Sequence, residues 1–364
     1  MSMGIMRDPS RHFSYYWLGD TCNNCVFDLA GKRYAPYEVS LDYQAQVDAF
    51  NVPDMPQAWR WSSFAGDDGV KMRWGQMPNR EVSDTTVIII PGYTATMNMY
   101  GEHITDLTDR GYHVMGFDLR GQGGSERPRI GQPEKLMIDD FSRYSNELSD
   151  FIKSQNFNED RNVILIGMSL GGHVAMRLSG DHPGVIDGLL LLAPALQPVS
   201  GDVEFDQALK IMKWGRRLGK DNRYLPGQSN WVPYHEANLL RVGIEHCASN
   251  PDRLPLRDAI FTNIPEQRVG GITFNWGIEF FESSLYLRAD DYLENISLPI
   301  TMIHAELDLY VETDVNISAC DARLPNCKNV QYAGSGHCLF NESDDILEKI
   351  YVELDQLKTR IASP

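Results

Sequence analysis

Residues 163–172 constrain the fold of this chain more than any other stretch. Val163-Ile164-Leu165-Ile166 is an apolar run. Gly167-Met168-Ser169-Leu170-Gly171-Gly172 follows at once, and His173-Val174-Ala175-Met176-Arg177-Leu178 continues with helical character. A chain that passes from a buried strand through G-x-S-x-G into a helix has to turn sharply at the end of a central strand. A serine on such a turn is forced into strained backbone angles, and side chains two positions either side would strike neighbouring backbone, so glycines stand there. The turn lifts the hydroxyl out of the sheet, and the helix N-terminus behind it favours developing negative charge. Ser169 is therefore the candidate nucleophile. The competing reading is a glycine-rich packing turn whose serine only caps the helix.

The elements around this turn alternate. Residues 59–64 and 70–74 flank Ala65-Gly66-Asp67-Asp68-Gly69 as a hairpin. Residues 86–91 form a β-branched strand ending in Pro91-Gly92, a helix covers 99–110, and a strand 112–117 follows. A turn-rich segment, 118–125, leads to an amphipathic helix over 138–155. After the nucleophile come strands at 185–193, 300–304 and 329–332 and a last helix over 344–357. Buried strands alternating with amphipathic helices predict an α/β architecture, a mostly parallel sheet covered on both faces. Between 194 and 299 the alternation stops, and helical, loop-rich sequence with Trp214, Trp231 and Trp276 takes over. That stretch reads as a cap over the C-terminal edge of the strands, where ligands enter open α/β sheets. The expected division is an extension of unassigned role at 1–56, a core at 57–198 and 296–364, and a cap at 199–295.

Composition narrows the function classes. The net charge of −17 argues against general binding to nucleic acid or to an anionic bilayer surface. No apolar run approaches the about eighteen residues a membrane span needs, and residues 1–20 contain no apolar stretch of a secretory signal. Six cysteines in 364 residues do not make a disulfide scaffold. Cys22-Asn23-Asn24-Cys25 has redox-like spacing without a redox-type setting and reads as ordinary thiols, while Cys320 and Cys327 are near enough to bridge in an oxidising compartment. The expected location is cytoplasmic.

A serine nucleophile needs a base, and the base an orienting acid, in the chain order Ser, Asp or Glu, His for this kind of turn. Residues 300–304 form a strand, and Ala305-Glu306-Leu307-Asp308 leaves its C-terminal end, so Asp308 is the expected acid and Glu306 the fallback. His337, in Gly334-Ser335-Gly336-His337 beyond the last strand, is the expected base. His304 and His173 fall inside elements, and the remaining histidines fit the order less well. The oxyanion requires two backbone N–H donors. Leu170 supplies one, and Tyr93, after Pro91-Gly92, the other.

These residues resemble the α/β-hydrolase superfamily, within it the monoacylglycerol lipase and lysophospholipase branch, and most of all bacterial lysophospholipases of the inner-membrane type. The likeness is carried by 88–92, by 118–125 (Asp-Leu-Arg-Gly-Gln-Gly-Gly-Ser), by 167–172, by 268–276 of the cap, by 305–308 and by 336–342 (Gly-His-Cys-Leu-Phe-Asn-Glu). It covers about 57–360. It implies the α/β-hydrolase fold, with a central sheet of about eight strands and an inserted helical cap, and Ser169, Asp308 and His337 as nucleophile, acid and base. It gives 118–125 a structural role beside the active edge and requires neither metal nor organic cofactor. The implied activity is hydrolysis of an amphiphilic carboxylic ester, a lysophospholipid or monoacylglycerol, through an acyl-enzyme. Small-ester carboxylesterase, acyltransferase and a non-catalytic binding module are the alternatives. Pro91-Gly92-Tyr93 departs from the family's usual His-Gly, and the first 56 residues have no counterpart.

One cap segment breaks the acidic background. Lys210, Lys213, Arg216, Arg217, Lys220 and Arg223 fall within fourteen residues, with Ile211, Trp214 and Leu218 at helical spacing on another face. Such a helix suits an anionic headgroup, with Lys213, Arg216 and Arg217 as the expected contacts, or transient contact with a lipid surface at the periphery of the inner membrane. A solvated helix face is the plainer reading.

Overall fold

The computed structural model describes residues 15–16, 26–28, 33–34, 41–78, 80–127, 131–158, 160–200, 203–226, 228–231 and 247–362. Cys22 and Cys25 lie outside these residues, as do His12, His235 and His246. Eight strands form the main sheet: β1 (Arg60–Ala65), β2 (Lys71–Gln76), β3 (Thr85–Ile90), β4 (His113–Phe117), β5 (Asn162–Met168), β6 (Gly188–Leu192), β7 (Ile300–Ala305) and β8 (Cys327–Tyr332). Their spatial order is β8-β7-β6-β5-β3-β4-β2-β1. The pairs from β8 to β4 are parallel; β2 runs antiparallel to β4 and forms the expected hairpin with β1. The α/β class and the mostly parallel sheet expected from the alternation are what the chain adopts.

Every residue of β3, β4, β6 and β7 is buried, because helices cover both faces. The period of two then sorts successive side chains into two cores. Ile88, Leu165, Leu189 and Leu191 face α3 (Ser142–Ser154) and α4 (Leu170–Asp181). Ile89, Ile166, Leu190 and Ile303 face α2 (Gly101–Asp109) and the last helix, α9 (Asp344–Ala362). The last helix runs beyond the expected 357 to Ala362, since Ile361 continues the apolar stripe of Leu347, Ile350, Leu354 and Leu357.

The register places the chemistry. Ile90 pairs with Gly167, Gly167 with Leu191, and Leu192 with Ile303. The loop after β3, the turn after β5 and the turn after β7 therefore leave the same sheet edge. Tyr332 closes β8 opposite Ala305 and sends its loop to that edge too.

Between β6 and β7 the described cap contains α5 (Phe205–Arg217), α6 (Leu256–Asn263) and α7 (Phe274–Leu287). α5 buries Phe205, Leu209, Met212 and Gly215, and Phe205 stacks on Phe281 of α7 at 4.3 Å. Helix α8 (Thr313–Ala322), an element that the sequence pattern does not announce, joins β7 to β8. Part of the N-terminal extension also packs on the cap. Tyr43 and Val47 of α1 (Leu41–Ala49) meet Ala259, and Phe50 and Val52 join Leu256, Ile260 and Phe261. No described helix is long and apolar enough to cross a membrane.

Candidate active site

Ser169 sits between β5 and α4 with φ 51° and ψ −111°, the left-handed strain that a sharp strand-to-helix turn imposes. Its N–H donates to Leu192 O at 2.9 Å, and its carbonyl accepts from His173 and Ala195, both at 3.0 Å, so the backbone on both sides holds the turn. The hydroxyl makes no capping bond to α4, which removes the physical basis of the helix-cap reading. The flanking glycines answer to close approach. A Cβ on Gly167 would stand 2.6 Å from Gly172 Cα, and one on Gly171 would run into the Ile90 carbonyl oxygen.

Asp308 and His337 meet at the same edge: Asp308 Oδ2 lies 2.7 Å from His337 Nδ1. The other carboxylate oxygen, Oδ1, accepts the N–H groups of Tyr310 (2.8 Å) and Val311 (3.1 Å). The two oxygens thus have separate tasks, one holding the turn and one holding the imidazole. The Asp308 side chain is almost fully buried and His337 keeps 9% of its side chain accessible, with the Tyr310 ring 4.8 Å away. Glu306, the fallback acid, is exposed and accepts the Gly334 N–H at 2.7 Å, bracing the turn ahead of His337.

The other described histidines are occupied elsewhere. His173 lies between Ala195 O and Ser283 Oγ, each at 2.8 Å, and His304 contacts Asn329 at 2.7 Å. Burial pushes His103 and His173 down to about 3 and His113 to about 4, so these three stay neutral in the fold.

Gly92 approaches the nucleophile so closely that a Cβ there would lie 3.3 Å from Ser169 Cβ. Thr94, with φ 60°, donates its N–H to Gln122 Oε1 at 2.8 Å, so the 118–125 segment braces the loop carrying Tyr93. Asp118 organises that segment, accepting from Met97 N, Gly124 N and Arg73 Nε at 2.7–3.0 Å. Tyr93 Oη donates to Gly270 O of the cap at 3.0 Å and its ring lies 4.9 Å from Trp276.

Ser169, His337, Tyr93 and Leu170 all line one cavity of about 470 Å³, a size ordinary for small-molecule sites. Val269, Ile272, Trp276 and Phe280 of the cap supply much of its apolar wall. Tyr43, from the extension given no role by sequence, also lines it and donates to Asp258 Oδ2 at 3.2 Å.

Lys213, Arg216 and Arg217 are not brought to this cavity. Lys213 pairs with Glu282 at 2.7 Å and Arg216 with Glu279 at 3.0 Å, while Arg217 is exposed. The reason is the face that α5 buries: with Leu209 and Met212 turned inward, the basic residues face α7 acids or the outside. Ile211, Trp214 and Leu218 are exposed by 55%, 63% and 53%. Glu342, buried and bonded to the Gly336 N–H at 2.6 Å, stands beside the site without having been singled out by sequence, although it ends the 336–342 motif.

Residues 81–344 match the hydrolase family described as serine aminopeptidase, S33, a span that includes all three of Ser169, Asp308 and His337. The chain belongs to this family. Among its relatives, lysophospholipase L2 of Escherichia coli K12 is 25% identical over 283 residues, 76% of this chain and 79% of that protein. A soluble variant of monoglyceride lipase from Saccharomyces cerevisiae superposes with a TM-score of 0.66 at 16% identity, over 86% of this chain and 98% of that one. A thermostable carboxyl esterase from Bacillus coagulans gives 0.65 at 16% identity, over 84% and 99%. These structural likenesses establish the α/β-hydrolase fold.

Proposed function

We propose that this family member is a serine hydrolase of carboxylic esters, acting on lysophospholipid or monoacylglycerol through an acyl-enzyme. The observation that carries the reading is the Asp308–His337 hydrogen bond on the same cavity as a strained, uncapped Ser169. Neutral His337, with Nδ1 held by Asp308, takes the Ser169 proton through Nε2 as Oγ attacks the ester carbonyl. The oxyanion rests on the Tyr93 and Leu170 N–H groups. His337 then protonates the departing alcohol, and water repeats the sequence to release the fatty acid. The apolar cap wall suits an acyl chain, and the lysophospholipase and monoglyceride lipase names borne by the relatives support a lipid ester.

The exposed apolar stripe of α5, beside Lys210 and Arg217, supports transient contact with a lipid surface. The two disulfides described, Cys247–Cys338 and Cys320–Cys327, favour an oxidising compartment over the cytoplasm expected from sequence.

A fluorophosphonate probe and a substrate panel test the reading. Wild type takes the label, Ser169→Ala does not, and long-chain lysophospholipids and monoacylglycerols turn over faster than acetate esters. A folded wild type that takes no label refutes the enzyme reading. Preference for acetate esters moves the substrate to the small-ester class.

A further inference from the structure

The loop carrying His337 is fastened to the cap by contacts that the hydrolytic scheme does not use. Cys338, the residue after His337, is disulfide-bonded to Cys247 of the cap and also donates its N–H to the Cys247 carbonyl. Glu342 is fully buried. One carboxylate oxygen accepts the N–H of Gly336, the residue before His337, at 2.6 Å, and the N–H of cap residue Ser249 at 2.9 Å. The other accepts the Ser249 hydroxyl. Arg253 donates to the Glu342 carbonyl at 2.5 Å and to Asp344 at 2.8 Å. The catalytic histidine is thus gripped on both sides in sequence by groups that reach the cap.

We infer that Glu342 and the Cys247–Cys338 bond are positioning elements: the cap segment 247–253 and the loop 334–342 form one clamp that sets His337 against Ser169. The inference rests on the ester-hydrolase reading. A carboxylate is suited to this task because each of its oxygens only accepts, and the groups facing it here are two backbone N–H donors and a hydroxyl. A base displaced by about 1 Å costs about 10²-fold in rate, so a clamp acting on the loop is read in turnover rather than in binding. The cap at this end then works as part of the catalytic frame and does not swing away from His337 during turnover. The bond being a disulfide, the clamp is also sensitive to thiol reductants.

The test compares wild type with Glu342→Ala, Ser249→Ala, the double variant and Cys247→Ser, by kcat and KM on p-nitrophenyl butyrate and by the rate of fluorophosphonate labelling, with thermal melts as the control for folding. Glu342→Ala takes the acceptor away from the Gly336 and Ser249 N–H groups together and opens the clamp. Expected are a kcat loss of about 10–100-fold with KM within about threefold, and a smaller kcat loss for Ser249→Ala. The double variant falls no lower than Glu342→Ala alone, because both act through one contact. A phosphine reductant brings wild type to the level of Cys247→Ser and leaves that variant unchanged. Wild-type activity in folded Glu342→Ala, multiplicative losses in the double variant, or indifference of the wild type to reduction overturns the clamp. Should Glu342→Ala fail to fold, Ser249→Ala and the reductant decide: activity unchanged in both refutes it. A wild type that takes no label sinks the ester-hydrolase reading and the clamp with it, whereas equal labelling of wild type and variants sinks the clamp alone.

Discussion

Replacing Asp308 with asparagine is the sharpest probe of the proposed chemistry, because the structure dictates how the new amide must sit. Oδ1 of Asp308 accepts two backbone N–H groups, from Tyr310 and Val311, while Oδ2 faces His337 Nδ1. In Asp308→Asn only one oxygen remains. Turning the NH₂ toward the backbone would leave two buried donors without an acceptor, at about 1–3 kcal/mol each. The oxygen therefore stays with Tyr310 and Val311, and the NH₂ points at His337. Nδ1 must then accept, so the ring carries its proton on Nε2 and cannot take one from Ser169. The loss expected for a wrong-tautomer triad is about 10⁴ in kcat, or about 5.4 kcal/mol of barrier. The assay is kcat on p-nitrophenyl butyrate at neutral pH, with a melting curve showing that the turn survives. A fall of less than about tenfold in a folded variant would refute the role assigned to Asp308.

Other outcomes follow from the same structure. Gly171→Ala drives a Cβ into the Ile90 carbonyl, so it destabilises by about 1–3 kcal/mol and slows labelling of Ser169; an unchanged melting temperature and labelling rate would count against the close-approach argument. His173 is held near 3 in the fold against its ordinary 6.5, so the unfolded chain takes up its proton first. The stability it contributes is complete above about 6.5 and is lost as pH falls toward 3, at about 1.4 kcal/mol per unit below 6.5. His173→Gln accordingly flattens the dependence of urea-unfolding free energy on pH between 4.5 and 5.5, and identical slopes would disprove the assignment. Ile211→Ser combined with Trp214→Ser weakens sedimentation with phospholipid vesicles, and neutralising Lys210 and Arg217 lowers activity on lysophospholipid more than on a short nitrophenyl ester. Equal losses on the two substrates would remove the lipid-contact reading of α5.

The legible part of this protein was local. Ile88-Ile89-Ile90, Val163-Ile164-Leu165-Ile166 and Leu189-Leu190-Leu191-Leu192 announce parallel strands buried on both faces, because only such strands are apolar at every position. Gly167, Ser169 and Gly171 announce the turn, since steric exclusion acts between neighbours in the chain. The candidates Ser169, Asp308 and His337 came from chain order, and the structure brings Asp308 to His337 through parallel registers that carry several loops to one edge. What sequence left open depended on surfaces meeting across long separations. α5 carries apolar residues on two faces, and only packing against α7 selects Leu209 and Met212 for burial and leaves Ile211 and Trp214 outside. Cys338 lies 91 positions along the chain from its partner Cys247, and Tyr43 reaches Asp258 over a still longer separation. No periodicity encodes such pairings. By itself the chain determined which backbone could turn where; the tertiary structure decided which side chains share a cavity, because that is settled by how helices far apart in sequence share the same buried surface.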